Sequence, residues 1–425
     1  ETSAAKRGRL AATLREAGQQ AAILTLADSI SWLLNIRGSD IPRNPVVHAF
    51  AILGDDGRLR LFVDERKLDA DVRQHLGAEI SVEPVSAFAP ALDGLRGPVR
   101  VDRASAPKAV SDRLAAAGVE IAWATDPCIL PKARKNTAEI AGTAEAHLRD
   151  GAAMCEFLAW LDAEAPKGTL TEIAVVSALE GFRRATNALR DISFDTICGA
   201  GPNGAIVHYR VTEGTDRPVK SGELLLVDSG GQYPDGTTDI TRTLPMGDPD
   251  PAVRRPYTRV LQGMIALSRA QFPRGVAGCH LDALARAPLW MEGLDYDHGT
   301  GHGVGAGLSV HEGPVRISRV SDIPLEPGMI LSNEPGYYRE GHWGIRIETL
   351  QVVTPATAPE GGERPMHGFE QLTFAPIDRK LIEVGLLTPE ERAYVDAYHA
   401  ETLAKVGPLV EGEVKAWLEK ACAPL

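Results

Sequence analysis

Cysteine is scarce in this sequence and shows no pairing pattern. The five cysteines (Cys128, Cys155, Cys198, Cys279 and Cys422) are scattered over 425 residues, and no two stand in C-x-x-C spacing. An odd, dispersed set fits a reduced, cytoplasmic compartment rather than a disulfide framework. Long apolar runs are also missing. None approaches the ~20 residues needed to cross a bilayer, so no membrane partner is expected. No signal peptide is visible, and the opening at Glu1 instead of methionine leaves upstream residues as an expectation. No lysine or arginine run is long enough to track a phosphate backbone. The balance is 45 basic to 57 acidic residues, a net charge of −12, and nucleic acid is not an expected partner. What is present is ordinary for a globular chain, with 44% hydrophobic and 24% charged residues. The length suggests two domains.

The first part alternates helix and strand. "KRGRLAATLREAG" (6–18) reads as an amphipathic helix stopped by Gly18, and "AAILTL" (21–26) as a short strand. "HAFAILGDDGRLRLFVD" (48–64) has the form of a hairpin, two strands around a DDG turn. Strands at 98–102 and 119–124 flank a helix at 106–118. The expectation is a small α/β domain over 1–131, followed by a second domain over 132–425. "DPCILPKARKN" (126–136) is the expected linker. Helices are expected at 137–165, 170–186, 252–271, 280–287, 388–407 and 411–421, strands and turns at 194–247, strands at 328–354, and a loop at 355–368. No short-period repeat is present.

The chemistry-bearing residues cluster in the second domain. "ELLLVDSGGQY" (223–233) is apolar until Asp228, and "DGTTDITRT" (235–243) places Asp239 in an alternating strand eleven residues later. "GMILSNEPGYY" (328–338) ends its apolar run at Glu334. "GIRIETLQVV" (344–353) sets Glu348 mid-strand, opposite in face to Ile345 and Ile347. Taken singly, each carboxylate has a simpler explanation: Asp228 capping a turn, Asp239 paired with Arg242, Glu348 paired with Arg346. Between the two pairs lies "DHGTGHGVGAGLSVHEGP" (297–314), with His298, His302 and His311 among six glycines. An unpaired buried charge costs several kcal/mol. Four such residues around a histidine cluster therefore point to a shared cation. An oxygen-rich, sulfur-free set suits Mn²⁺, Co²⁺ or Fe²⁺ better than a structural zinc. Two such ions roughly 3.5–4 Å apart can hold a bridging hydroxide and polarise a carbonyl.

In that order, "VDSGGQYPDGTTDITRT", "HGTGHGVG", "SNEPGYY" and "GIRIET" resemble the pita-bread metallopeptidases. "SWLLNIRGSDIPRNPV" (31–46), "GPNGAIVHYR" (201–210) and "GFEQLTFAPIDRKLIE" (368–383) extend the resemblance to the long, three-domain, cytosolic-type aminopeptidase P branch of that family. The fold it implies is α/β (α+β), a C-terminal pita-bread catalytic domain preceded by a creatinase-N-terminal-like α/β domain. It also implies that a further N-terminal domain of the long members lies outside this chain.

Residue by residue, the resemblance implies Asp228 on one metal, Asp239 and Glu348 bridging, and His302 and Glu334 on the other. It implies two divalent ions, Mn²⁺ first with Zn²⁺ or Co²⁺ as alternatives. Glu334 would also take a proton from the attacking water. His208 and His311 would hydrogen-bond the scissile carbonyl or the tetrahedral intermediate. His298 would line the site, with a structural hydrogen bond as the competing role. Arg37 would reach the site from the smaller domain or make an interdomain salt bridge. Tyr337, Tyr338 and Trp343 would form a proline pocket or pack in the core. The implied activity is removal of an N-terminal residue that precedes proline, from peptide substrates, by a cytoplasmic homodimer held through the catalytic domain and its tail. Prolidase is the near rival. A pita-bread protein that binds peptides without catalysis is the distant one, and it would predict a broken ligand set.

Overall fold

The computed structural model describes residues 1–248 and 250–425. Its packing separates two compact units, Glu1–Lys132 and Ala133–Leu425.

The first unit is a six-stranded mixed sheet. The strands run in the order Ile80–Glu83, Leu59–Phe62, Phe50–Gly54, Ala21–Leu24, Val99–Val101, Ile121–Trp123. Ala21–Leu24 is buried at all four positions because it lies inside the sheet with both faces covered, so it shows no alternation. The hairpin closes at Asp55-Asp56-Gly57, where Gly57 takes φ +83°, a conformation that favours glycine. The register pairs Phe50 with Phe62, and Phe88 stacks on Phe50 at 4.4 Å between ring centroids.

Instead of an open linker, residues 126–136 contain a short helix, Ile129–Ala133. The long helix Thr137–Glu164 then starts from a capping box. Asn136 Oδ1 accepts from the Ala138 and Glu139 amides, and Glu139 returns a carboxylate oxygen to the Asn136 N–H at 2.9 Å.

The second unit holds two three-stranded antiparallel sheets. In one, Leu224–Ser229 lies between Ile197–Ala200 and Ile240–Pro245. In the other, Thr349–Val353 lies between Ile330–Asn333 and Phe369–Gln371. A two-stranded ribbon, Gly336–Arg339 with Trp343–Arg346, accompanies them. The unit also holds the helices Glu172–Ala185, Arg254–Ser268, Gly278–Trp290, Pro389–Val406 and Gly412–Ala421. The 355–368 segment is not wholly loop, since Met366–His367 pairs with Phe272–Pro273. Among the described residues, no helix is long and apolar enough to cross a membrane.

One buried cation ties the helix Pro389–Val406 to the core. Arg242 is fully buried and donates to the carbonyl oxygens of Thr241, Glu348, Ala375 and Pro376 and to the Tyr398 hydroxyl, all at 2.7–2.9 Å. Next to Tyr398, His399 Nε2 accepts the Ile377 amide at 3.1 Å. Burial, reinforced by the nearby Arg242 charge, lowers the His399 pKa to about 4.

Two outcomes follow. Arg242→Met removes a buried guanidinium that donates to four carbonyl groups, among them those of Glu348 and Pro376, and should cost at least about 3 kcal/mol in urea unfolding. Arg255→Met, at the exposed pair with Glu292, should leave the unfolding midpoint nearly unchanged. For His399 the folded pKa lies below the ordinary 6.5. Its contribution is therefore fully present above about pH 6.5 and is lost as pH falls towards 4. Thermal unfolding at pH 7 and pH 5 should show a smaller drop for His399→Gln than for the unsubstituted chain.

Candidate active site

The strand "DITRTL" explains the site's first wall. Alternation along it sends Asp239, Thr241 and Thr243 to one face and Ile240, Arg242 and Leu244 to the other. Asp239 and Arg242 thus sit on opposite faces, which is why the simpler alternative, an ion pair between them, does not form. Thr241 lies directly across from Asp228 in the antiparallel register, so both face the same way. Glu348 is not mid-strand. It falls in the break between Trp343–Arg346 and Thr349–Val353, where its amide bonds the Thr241 carbonyl and its Oε2 accepts the Thr241 hydroxyl at 2.7 Å.

Arg346 pairs with Asp228, not with Glu348. Its Nη2 donates to Asp228 Oδ2 at 2.6 Å, its Nη1 to the Tyr338 hydroxyl at 2.6 Å, and its Nε to Thr241 Oγ1 at 3.2 Å. One guanidinium therefore ties Asp228, Thr241 and Tyr338 together. Sequence alternation placed Arg346 on the Glu348 side, but only the strand break reveals its true partner.

The histidine stretch supplies the second wall. His302 lies in a two-residue strand paired with Arg316–Ile317. Its Nδ1 faces the Gly303 carbonyl at 3.0 Å. A carbonyl only accepts, so Nδ1 carries the proton and Nε2 keeps a lone pair. That nitrogen stands 3.4 Å from Asp239 and 3.5 Å from Glu334. Glu334 follows the strand Ile330–Asn333, and its Oε1 accepts the Ser332 hydroxyl at 3.0 Å, while Ser332 Oγ accepts the His302 amide. Ser332 and Thr241 are supports that no sequence pattern singled out.

Glycine is required here by contact. A Cβ on Gly301 would meet the Ser332 carbonyl oxygen at 2.0 Å, and one on Gly303 the Glu312 carbonyl oxygen at 2.2 Å. The backbone runs too close to its neighbours for any side chain.

These residues open on a cavity of about 750 Å³. His208, His298, His302, His311, Asp228, Asp239, Glu334, Glu348 and Arg346 all line it. His298 donates Nδ1–H to the Gly299 carbonyl, and its Nε2 accepts from the Tyr338 hydroxyl at 2.9 Å. Burial lowers its pKa to about 3 and that of His311 to about 4, so both rings are neutral at pH 7. The rings of His302 and His311 lie 4.3 Å apart. Tyr337 packs edge-on against Trp343 at 5.7 Å. Arg37 belongs to the first unit, where it donates to the carbonyl oxygens of Ser31 and Ile36.

The donor set fits divalent metal. Asp239, His302 and Glu348 offer ligand atoms all within 4.8 Å of one another. Asp228 Oδ1, Asp239 Oδ1 and Glu348 Oε1 are buried with no hydrogen-bond partner. Burial first, then the neighbouring carboxylates, pushes Asp239 and Glu348 well above the usual carboxylate range. Burial also raises Glu334. Without a cation these groups must hold protons to coexist, and an oxygen left without a partner in such a place is expensive.

Residues 141–355 match the model of metallopeptidase family M24. The chain belongs to metallopeptidase family M24. Residues 1–139 match the creatinase/prolidase N-terminal domain, and 365–425 the C-terminal region of the M24 peptidases. A probable Xaa-Pro aminopeptidase P of Laccaria bicolor is 43% identical over 97% of this chain and 67% of its own length. The X-prolyl aminopeptidase of Caenorhabditis elegans, described as a cytosolic enzyme with a di-nuclear active site, superimposes with a TM-score of 0.94 at 34% identity. That match covers 100% of this chain and 71% of the other. An Xaa-Pro dipeptidase from Bacillus anthracis has a TM-score of 0.72 at 26% identity, over 89% and 99% of the two chains. This M24 chain spans about two thirds of the length of its aminopeptidase relatives.

The M24 site makes one structural demand that can be checked directly. Gly301→Ala should lower stability by at least about 2 kcal/mol, because overpacking against backbone has no flexible atom to yield. Gly299→Ala, whose Cβ has no neighbour closer than 3.6 Å, should be tolerated within about 1 kcal/mol. Equal losses in chemical unfolding would contradict the contact argument.

Proposed function

We propose that this chain is a metal-dependent Xaa-Pro aminopeptidase, hydrolysing the bond between an N-terminal residue and a following proline. The observation that carries this reading is the enclosed cluster itself, three partnerless carboxylate oxygens beside the free lone pair of His302 Nε2. The names borne by its M24 relatives and the di-nuclear centre described for the nematode enzyme support it.

On this reading Asp228, Asp239, His302, Glu334 and Glu348 hold two divalent ions. Asp239 and Glu348 would serve both ions, and Mn²⁺ is proposed ahead of Zn²⁺ or Co²⁺. When bound, such ions supply Lewis acidity towards the scissile carbonyl and make water nucleophilic at neutral pH.

The chain's own residues do the rest. Glu334 takes the water proton and is oriented for it by the Ser332 hydroxyl. His208 and His311 hydrogen-bond the scissile oxygen as its charge develops. His298 lines the cavity, held by Tyr338, and Tyr338 is held in turn by Arg346. The substrate's ammonium group faces the carboxylates, which fixes the cut after one residue. An Xaa-Pro bond is a tertiary amide without N–H, so the site needs no acceptor for that proton.

Arg37 is proposed to approach the substrate from the smaller domain. The functional division into 1–131 and 132–425, a homodimer, and a cytoplasmic location complete the proposal. Prolidase activity is the second reading, supported by the dipeptidase likeness.

The test compares an Xaa-Pro-Yaa tripeptide with its Xaa-Ala-Yaa counterpart and an Xaa-Pro dipeptide, in EDTA and after Mn²⁺ is restored. Proline-dependent, Mn²⁺-restored release of the first residue from the tripeptide is expected. Cleavage confined to the dipeptide would select prolidase. Glu334→Gln should lower kcat on the order of 10²–10⁴-fold, and unchanged turnover would remove its role. Mn²⁺ should also raise the Tm of the unsubstituted chain and not that of Asp239→Asn.

A further inference from the structure

The cavity wall carries five arginines, Arg210, Arg286, Arg316, Arg319 and Arg346, and no lysine. Four of them are committed. Arg210 pairs with Asp195 at 2.9 Å. Arg286 pairs with Asp282 and Asp295. Arg319 also pairs with Asp295, and Arg346 with Asp228. Among the described residues, Arg316 has no carboxylate partner, and its side chain is exposed. Its place in the fold is fixed even so. Arg316 stands directly opposite His302 in a two-residue antiparallel pair. Residues opposed in this way project from the same face, so Arg316 shares the cavity side with the imidazole. The next pair, Gly301 with Ile317, turns inward, and Ile317 is fully buried.

The cavity is thus polar in a directed sense. Asp228, Asp239, Glu334 and Glu348 line it, as do Asp195, Asp297 and Glu312, and among its arginines one guanidinium has no carboxylate partner. A short peptide has the complementary pattern, an ammonium at one end and a carboxylate at the other. A volume of about 750 Å³ is also on the scale of a small ligand. We propose that Arg316 is a specificity-determining residue that binds a carboxylate carried by the residue after proline, so that the site favours short peptides with an anionic third residue. This rests on the Xaa-Pro aminopeptidase reading. The carboxylate has two sources, the free C-terminus of a tripeptide or an acidic side chain at the third position. Arginine suits either, because its planar fork matches a carboxylate with two parallel hydrogen bonds.

The experiment measures kcat/KM on three substrates with Mn²⁺ present: Xaa-Pro-Ala as the free acid, Xaa-Pro-Ala amide, and Xaa-Pro-Glu amide. The free acid should exceed the alanine amide by about tenfold, the scale of a charge-assisted hydrogen bond partly exposed to water. The difference should appear mainly in KM. Recovery with the glutamate amide would assign the site to side chains as well as to the terminus, and no recovery would assign it to the terminus alone. Arg316→Met should bring the acid-to-amide ratio close to one, and Arg316→Lys should restore part of it. Raising the salt concentration should shrink the ratio in the unsubstituted chain, because exposed charges are screened.

A ratio near one in the unsubstituted chain for both carboxylate sources would overturn the proposal. So would a ratio that survives Arg316→Met. Absence of proline-dependent release from all three substrates would overturn the aminopeptidase reading itself, and the proposal with it.

Discussion

Four carboxylates enclosed around one imidazole set the terms for the rest of the catalytic unit. Like charges at this spacing repel, and burial removes the water that would screen them. Among the described residues, Arg346 is the guanidinium paired with them, and that cation is divided among Asp228, Tyr338 and Thr241. Oxygens of Asp228, Asp239 and Glu348 are left without a hydrogen-bond partner among the described residues. Much of the surrounding structure serves this arrangement. The glycines of the histidine stretch let the backbone approach, Ser332 bridges His302 to Glu334, and Arg242 clamps the carbonyl of Glu348 from behind.

Much of this was legible in the sequence because each carboxylate interrupts or ends an apolar run. An apolar strand that stops at Asp228 or Glu334 advertises a burial problem, and several such stops advertise a common answer. The simpler pairs weighed against a shared cation, Asp239–Arg242 and Arg346–Glu348, do not form, each for a local reason. The first contradicts strand alternation, which puts residues three apart on opposite faces. The second assumed a continuous strand where the chain breaks after Arg346. Ser332 and Thr241 were not legible, because a hydroxyl in a strand looks the same whether it faces solvent or a carboxylate. The linker expected at 126–136 does hold the division between the two units, but its local structure was not legible. Its prolines suggested a break, while Ile129–Ala133 forms a helical turn and the capping box "NTAE" opens the next helix directly.

The M24 framework separates chemistry from selectivity. The carboxylates and His302 arise from strands and strand ends held by dense backbone packing. The cavity wall around Arg210, Arg316 and Arg319 is exposed and built from side chains that can change without disturbing the sheets. A fold of this kind can retain its hydrolytic centre while its preference for the rest of the peptide shifts.

The central claim is that this cluster is built for two divalent ions. The most direct measurement is a crystal structure grown with Mn²⁺, with anomalous scattering recorded at the manganese edge. The account predicts two anomalous peaks, bounded by Asp228, Asp239, His302, Glu334 and Glu348, with Asp239 and Glu348 contacting both. A cluster that stays metal-free at saturating Mn²⁺, or that holds a single ion with protonated carboxylates around it, would contradict it.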